Sequence, residues 1–380
     1  MNRVEYLHTM NEITDWDNET LTRLVSTQLS EQAISQIINP PFILEREKYM
    51  MALHWHPEIV PNDLLSTRIN AMFPSVLDEI IIPTQHNDLV SWDSYSGVEV
   101  DSYSKEFNRK VQLLFHFDSN RLEHAHTFKS MLSHTYKYRA SQFFDFLETL
   151  TNPTFKDRIA EAVAITELDK ETLDFVQVSS AKLKMLIDRN FSDIPEQSIK
   201  NKLIPAWFQE LKEFYEPHLV NRAIIFLKTV KEIVKSKFVL TYFYETQEVI
   251  EETRALGCGI VIPHPEQFWP ILLADYDVDG YEVWNPQSRE FSEFLIQTVI
   301  KKNQTLTKKK RSLLVFMGDD THMSEKIKEL DKQEPEKAKR EIGYQPAWED
   351  PAIQKSLVYG QFDKKSIILE YKARLLNPQP

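Results

Sequence analysis

The sequence predicts an α/β fold: a parallel barrel whose strands carry polar side chains to one mouth, interrupted by a large helical insertion. Three observations carry that expectation. Short apolar runs recur and each ends in a residue able to bind a metal ion; several are separated by stretches long enough for a crossover helix; and residues 121–236 show helical periodicity instead.

The elements follow in order. Residues 1–47 read as an N-terminal helical leader, in which Leu21, Leu24, Val25, Leu29, Ile34, Ile37 and Ile38 recur mostly at three- or four-residue spacing and Asn39-Pro40-Pro41 closes the helix. Residues 48–120 form the first part of the barrel. Here YMMAL ends at His54, EIIIPT ends at Gln85-His86, GVEV carries Glu99 and VQLLF ends at His116. The insertion or cap over 121–236 holds SQFFDFLETL, IAEAVAITEL, SAKLKMLIDRNF, WFQELKEFY and VNRAIIFLKTVKEIVK, each an amphipathic helix by its spacing. The second part of the barrel, 237–323, opens on KFVLTYFY as a strand ending at Glu245. It continues with GIVIP to His264, GYEVW to Asn285 and SLLVFMG to Asp320 and His322. A charged C-terminal extension, 324–380, contains the apolar segment SIILEY and reads as surface helix with an appended strand, or as a flexible extension. There is no internal repeat.

Composition narrows the class. A chain of 380 residues that is 42% hydrophobic and 27% charged is globular, and no apolar run reaches the roughly 18 residues of a membrane span. The N-terminus lacks the basic-then-apolar order of a signal peptide, so a cytoplasmic protein is expected. A single cysteine, Cys258, leaves no disulfide framework or thiolate cage, so a metal site must be built from His, Asp and Glu. The net charge of -12 argues against coating nucleic acid, although a small nucleotide remains admissible as a ligand. With seven glycines and no glycine-rich phosphate loop, the usual nucleotide-cofactor fingerprints are absent.

Six of the eleven histidines, His54, His56, His86, His116, His264 and His322, sit at or just past an apolar run. Strand residues i and i+2 share a face, so His54 with His56, and Asp320 with His322, can each grip one ion. His124 and His126 also form an HxH pair, but RLEHAHTFKSML reads as helix, where such residues point about 200° apart and cannot chelate.

HWHPE, PTQHND, GVEV, LLFHF, VIPHPEQF, GYEVWN and GDDTH together resemble, in order, the motifs of the PHP (polymerase and histidinol phosphatase) superfamily of metal-dependent phosphoesterases. The likeness covers roughly residues 48–120 and 255–323. It implies a distorted TIM-like (β/α)7 barrel with two or three divalent ions at its carboxyl-end mouth. Carried over, it makes His54, His56, Glu99 and Asp320 one metal site, with Glu99 bridging to a second held by His116 and His264, and His86 and His322 supporting a third. The chain departs from the family pattern at Ala52 and Gln85, where aspartate is common.

Such a centre carries few negative charges, so its ions favour an anionic substrate, and adjacent ions bring the pKa of a bridging water toward neutrality. Hydrolysis of a phosphate ester in a small phosphorylated metabolite or nucleotide follows, with Glu99, Asp320 and His264 as the residues closest to the chemistry. Imidazole-rich ligation favours Zn, Mn or Fe over Mg. Substrate contacts are sought at Asn285, Arg139, Lys137 and Arg68, and the basic run 308–311 reads as a solvated loop. A metallo-amidohydrolase acting on a C–N bond, or a non-catalytic PHP-like metal-binding module, are the alternatives. Substrate identity and oligomeric state are not encoded in any motif.

Overall fold

Two kinds of apolar patterning sort the chain into two bodies in the computed structural model, which describes residues 12–306 and 311–378. One compact unit holds the described residues through Gln28 together with Lys137–Val239; the other holds Leu29–Tyr136 and the chain from Leu240 onward.

The first unit is helical. It is built from helices Asp15–Val25, Lys156–Thr166, Lys170–Asn190, Leu203–Glu210 and Pro217–Ser236, with the later turns of His126–Thr151. Its core gathers Phe143, Phe146, Trp207, Phe208, Phe226 and Val230, all at most 1% exposed. The expected single helix over 19–38 is instead two, Asp15–Val25 and Glu31–Ile38. The break is chemical: the Ser26 hydroxyl accepts from Gln28 N and the Ser30 hydroxyl from Ala33 N, so short polar side chains satisfy backbone donors that an unbroken helix would claim.

The second unit contains the strands: β1 (Tyr49–Ala52), β2 (Trp55–His56), β3 (Asp78–Ile81), β4 (Gln85–His86), β5 (Val90–Trp92), β6 (Tyr95–Ser104), β7 (Arg109–Asp118), β8 (Gly259–Ile262), β9 (Gly280–Trp284), β10 (Leu314–Met317) and β11 (Thr321–His322). They form three sheets: β1-β3, β11-β2, and a seven-stranded sheet ordered β10-β9-β8-β7-β6-β4 with β5 added at β6. The all-parallel barrel expected from the sequence is not what these pairings show. β7 runs antiparallel to both β6 and β8, because only the four residues Lys105–Asn108 separate it from β6 and a tight turn can only reverse the chain. β5 also runs antiparallel to β6, whereas β1-β3, β4-β6, β8-β9, β9-β10 and β11-β2 are parallel. Gly280 is required where β9 meets β10, since a Cβ there would stand 2.1 Å from the Leu314 carbonyl oxygen.

Strands β8, β9 and β10 are buried along their whole length, as their continuous apolar sequences require. Two elements differ from the sequence reading. Residues 237–244 form no strand; a short 3-10 turn, Leu240–Tyr242, lies there, and the segment meets the sheet where Tyr103 N donates to Tyr244 O. SIILEY lies within helix Lys364–Leu376, whose Ile367, Ile368, Tyr371 and Leu375 enter the same core as the strands. The C-terminal region also stitches strands together: the Gln345 side-chain amide donates to Met51 O on β1 and Met317 O on β10, at 2.7 and 2.6 Å. Among the described residues no helix is long and apolar enough to cross a membrane. Lys308–Lys310 of the basic run lie outside the described residues; Arg311 donates to Asn377 O.

Candidate metal centre

Parallel pairing brings distant motifs together. The register of β11 on β2 sets His322 beside His56, and that of β4 on β6 sets His86 beside Glu99. Asp320 N donates to His54 O, drawing the loop before β11 onto the end of β1. Three overlapping groups result: His54, His56 and Asp320; His54, Glu99 and His264; His56, His86 and His322, the donor atoms within each lying within 4.8 Å of one another.

The separations fit shared ions. His54 Nε2 lies 3.9 Å from Glu99 Oε1 and 3.6 Å from Asp320 Oδ1, His56 Nε2 lies 3.7 Å from Glu99 Oε2, and His264 Nε2 lies 3.5 Å from Glu99 Oε1. These are long for hydrogen bonds, whereas two donors each about 2.1 Å from one tetrahedral ion stand about 3.4 Å apart. His86 Nδ1 touches Glu99 Oε2 at 2.5 Å, and the rings of His56 and His322 stack at 4.2 Å.

Four of these residues are buried, and many of their polar atoms are unspent. His54, His56, Glu99 and His264 are at most 5% exposed, yet His54 Nε2, both His56 nitrogens, Glu99 Oε1 and His264 Nδ1 have no hydrogen-bond partner. Orphaned buried polar atoms are costly, and so many in one place point to a ligand class that satisfies them together, a cation.

Electrostatics agree. Burial pulls the His54 pKa down, but Glu282, then Asp320 and Glu99, raise it further, to about 10, so this position calls for positive charge. Burial together with the charges of His322 and His86 pushes His56 down to about 3, leaving a neutral imidazole with its lone pair free. His322 rises to about 9: burial opposes the shift, but Asp320 and Glu58 outweigh it. Despite burial, neighbouring histidines hold Glu99 and Asp320 well below the usual carboxylate range. Glu58, His264 and Asp320 all have left-handed backbone, at φ of 54, 26 and 48°, a strain concentrated around the cluster.

Seven of the eight predicted ligand residues, His54, His56, His86, Glu99, His264, Asp320 and His322, therefore meet. His116 does not join them, and its expected ligand role is corrected. It lies on the reversed strand β7, where Nε2 donates to Leu53 O at 2.9 Å and Nδ1 accepts from the Tyr371 hydroxyl at 2.6 Å, so both nitrogens are used. Arg68 is likewise no substrate contact. It is buried, with Nε and Nη2 on Glu341 and Nη1 on Ile37 O. Lys137 and Arg139 lie on helix His126–Thr151 within the helical unit. Asn285 caps no helix but closes a local turn, its Oδ1 accepting from Gln287 N, while its buried Nδ2 has no partner. His124 lies just before the helix that starts at His126, and neither belongs to a donor group among the described residues.

Residues the sequence reading passed over complete the surroundings. Glu282 Oε1 accepts from His54 Nδ1 at 2.6 Å and its Oε2 from His264 N at 3.0 Å, which fixes the His54 tautomer and turns the Nε2 lone pair toward Glu99 and Asp320. Glu58 faces His322 Nδ1 at 3.5 Å. The signal for Glu282 was present, since a carboxylate at the centre of the apolar strand GYEVW must be paired. Gly318 leaves it room, for a Cβ there would stand 2.0 Å from Glu282 Oε1.

No protein-family profile matches the sequence, and no curated protein matches it. Among solved structures the chain is similar to the crystal structure of a proposed metal-dependent phosphoesterase from Bifidobacterium adolescentis, at 18% identity and a TM-score of 0.39, over 74% of this chain and 88% of that one.

Proposed function

We propose that this protein is a metal-dependent hydrolase of phosphate esters in small anionic molecules, organised as in the PHP superfamily. One observation carries the reading: a buried set of imidazole and carboxylate atoms, unpartnered within the protein and spaced as ligands of shared divalent ions. The sequence motifs support it, and so do the parallel pairings that set β11 beside β2 and β4 beside β6, bringing His322 to His56 and His86 to Glu99.

In this reading Glu99, with one oxygen toward His54 and His264 and the other toward His56 and His86, would help to hold the ions. Asp320 and His322 complete the remaining ligation. Glu282 keeps His54 oriented, holding the Nδ1 proton so that Nε2 is the nitrogen turned toward Glu99 and Asp320. When bound, paired Zn, Mn or Fe ions supply a hydroxide nucleophile near neutral pH and neutralise charge on a phosphoryl group. Two doubly charged ions exceed the two ligand carboxylates, and with Glu58, Glu282 and Arg340 counted the centre still ends positive, which selects anions.

The test is elemental analysis of protein reconstituted with Zn, Mn or Fe, followed by assay against phosphomonoesters, phosphodiesters and amides. Bound ions and turnover of a phosphate ester are expected. A protein that takes up no ion, or that cleaves only amides, would overturn the assignment.

A further inference from the structure

The two oxygens of Asp320 are used differently. Oδ1 faces the candidate ligands, 3.6 Å from His54 Nε2, 3.6 Å from His56 Nε2 and 3.4 Å from His322 Nε2. Oδ2 faces away and accepts from Gln287 Nε2 at 2.8 Å and Arg340 Nη1 at 2.7 Å, and the same Arg340 nitrogen also reaches Asp320 O at 3.0 Å. A carboxylate oxygen takes about two good donors, so Oδ2 is saturated.

The residue providing the charged donor is itself fixed. Glu341, next in sequence, is gripped by Arg68 through Nε and Nη2 at 2.8 and 2.7 Å and by Lys326 at 2.5 Å, and Gly343 N donates to Asp319 Oδ2 at 2.9 Å. Arg340 is only 7% exposed. The segment after the last strand thus holds a buried guanidinium on a candidate ligand, with anchors at the next residue and three residues on.

We propose that Arg340 and Gln287 are positioning residues of the metal centre, which commit Asp320 to bind an ion through Oδ1 alone. This rests on the metal-centre reading above. An unrestrained aspartate can chelate with both oxygens and so fill a coordination position that a nucleophile or substrate needs; saturating Oδ2 keeps that position open. The guanidinium also draws charge from the carboxylate, which leaves a bound ion more electrophilic.

The probe is Co(II) in place of the native ion, read by its affinity and by its visible ligand-field absorption, which weakens as coordination number rises. Gln287→Leu removes one holder without changing charge, and Arg340→Gln removes the other. Each should weaken Co(II) affinity about 10- to 100-fold and dim the absorption per ion, whereas Arg340→Lys should restore most of both. Thermal unfolding monitors folding; if Arg340→Gln fails to fold, Gln287→Leu decides. A folded Gln287→Leu protein with wild-type affinity and spectrum overturns the proposal, even where Arg340→Gln changes affinity, because that pattern is one of charge alone. A wild-type protein that binds no Co(II) overturns the metal-centre reading and this inference with it.

Discussion

Replacing His116 with Leu should destabilise the protein while leaving its metal content intact. The side chain is fully buried and makes two hydrogen bonds, so the variant strands the Leu53 carbonyl and the Tyr371 hydroxyl. At about 1–3 kcal/mol for each buried group left unpaired, the loss is about 2–6 kcal/mol. The pH dependence gives an independent signature. Burial, with the charge of His54 acting in the same direction, depresses the His116 pKa from 6.5 to about 3, although its bond to Leu53 opposes this. Because the folded-state value lies below the unfolded one, the neutral ring contributes stability that is fully present above pH 6.5 and is lost as pH falls toward 3. The stability gap between wild type and variant should therefore narrow by up to about 1.4 kcal/mol per pH unit below 6.5, or roughly 2–3 kcal/mol by pH 4.5. Urea unfolding of metal-free protein at several pH values, with elemental analysis of reconstituted samples, reads both effects. A variant that keeps its stability but loses an ion, or whose acid limb parallels the wild type, would refute the structural role of this histidine.

Other outcomes follow from the same geometry. His54→Ala should abolish metal retention and turnover with folding largely preserved, whereas His124→Ala should do neither; metal titration of the two variants side by side separates them. Zn(II) affinity should strengthen by about tenfold per pH unit for each proton displaced as pH rises toward 9, because His322 is raised to about 9 and His54 to about 10 and both must shed a proton to ligate. A competition titration showing no pH dependence between 6 and 9 would contradict this. Ile368→Ala, at a fully buried position of the last helix, should cost about 2–5 kcal/mol in an unfolding measurement, where a surface extension would cost almost nothing.

Much of the centre was legible because strand ends broadcast their chemistry. HWH and DTH place two donors on one strand face, His86 and His264 each follow an apolar run and GVEV carries Glu99, so the pattern named the seven residues that meet. His116 obeyed the same rule and yet serves another purpose. Strand direction decides which end of a run meets the site, and the reversal of β7 is set by the four residues Lys105–Asn108, which no residue near His116 reveals. The helix at 364–376 was legible in principle. Ile367, Ile368, Tyr371 and Leu375 repeat with helical spacing, but their dense charged neighbours suggested a surface. Arg340 carried no local mark at all. It sits in a tract where Lys, Arg and Glu abound, and only its contact with Asp320 sets it apart.

The amide of Gln345 that joins Met51 to Met317 has a bearing on how the chain is born. Gln345 lies 294 residues beyond Met51, so at about 5–20 residues per second a ribosome needs about 15–60 s to deliver it after the first strand emerges. Throughout that interval β1 lacks the Gln345 amide, and the imidazoles of His54 and His56 have Glu99 within reach long before Asp320 is translated. The seven ligand residues can therefore assemble in full only near the end of synthesis, once Asp320 and His322 have joined His54 and Glu99.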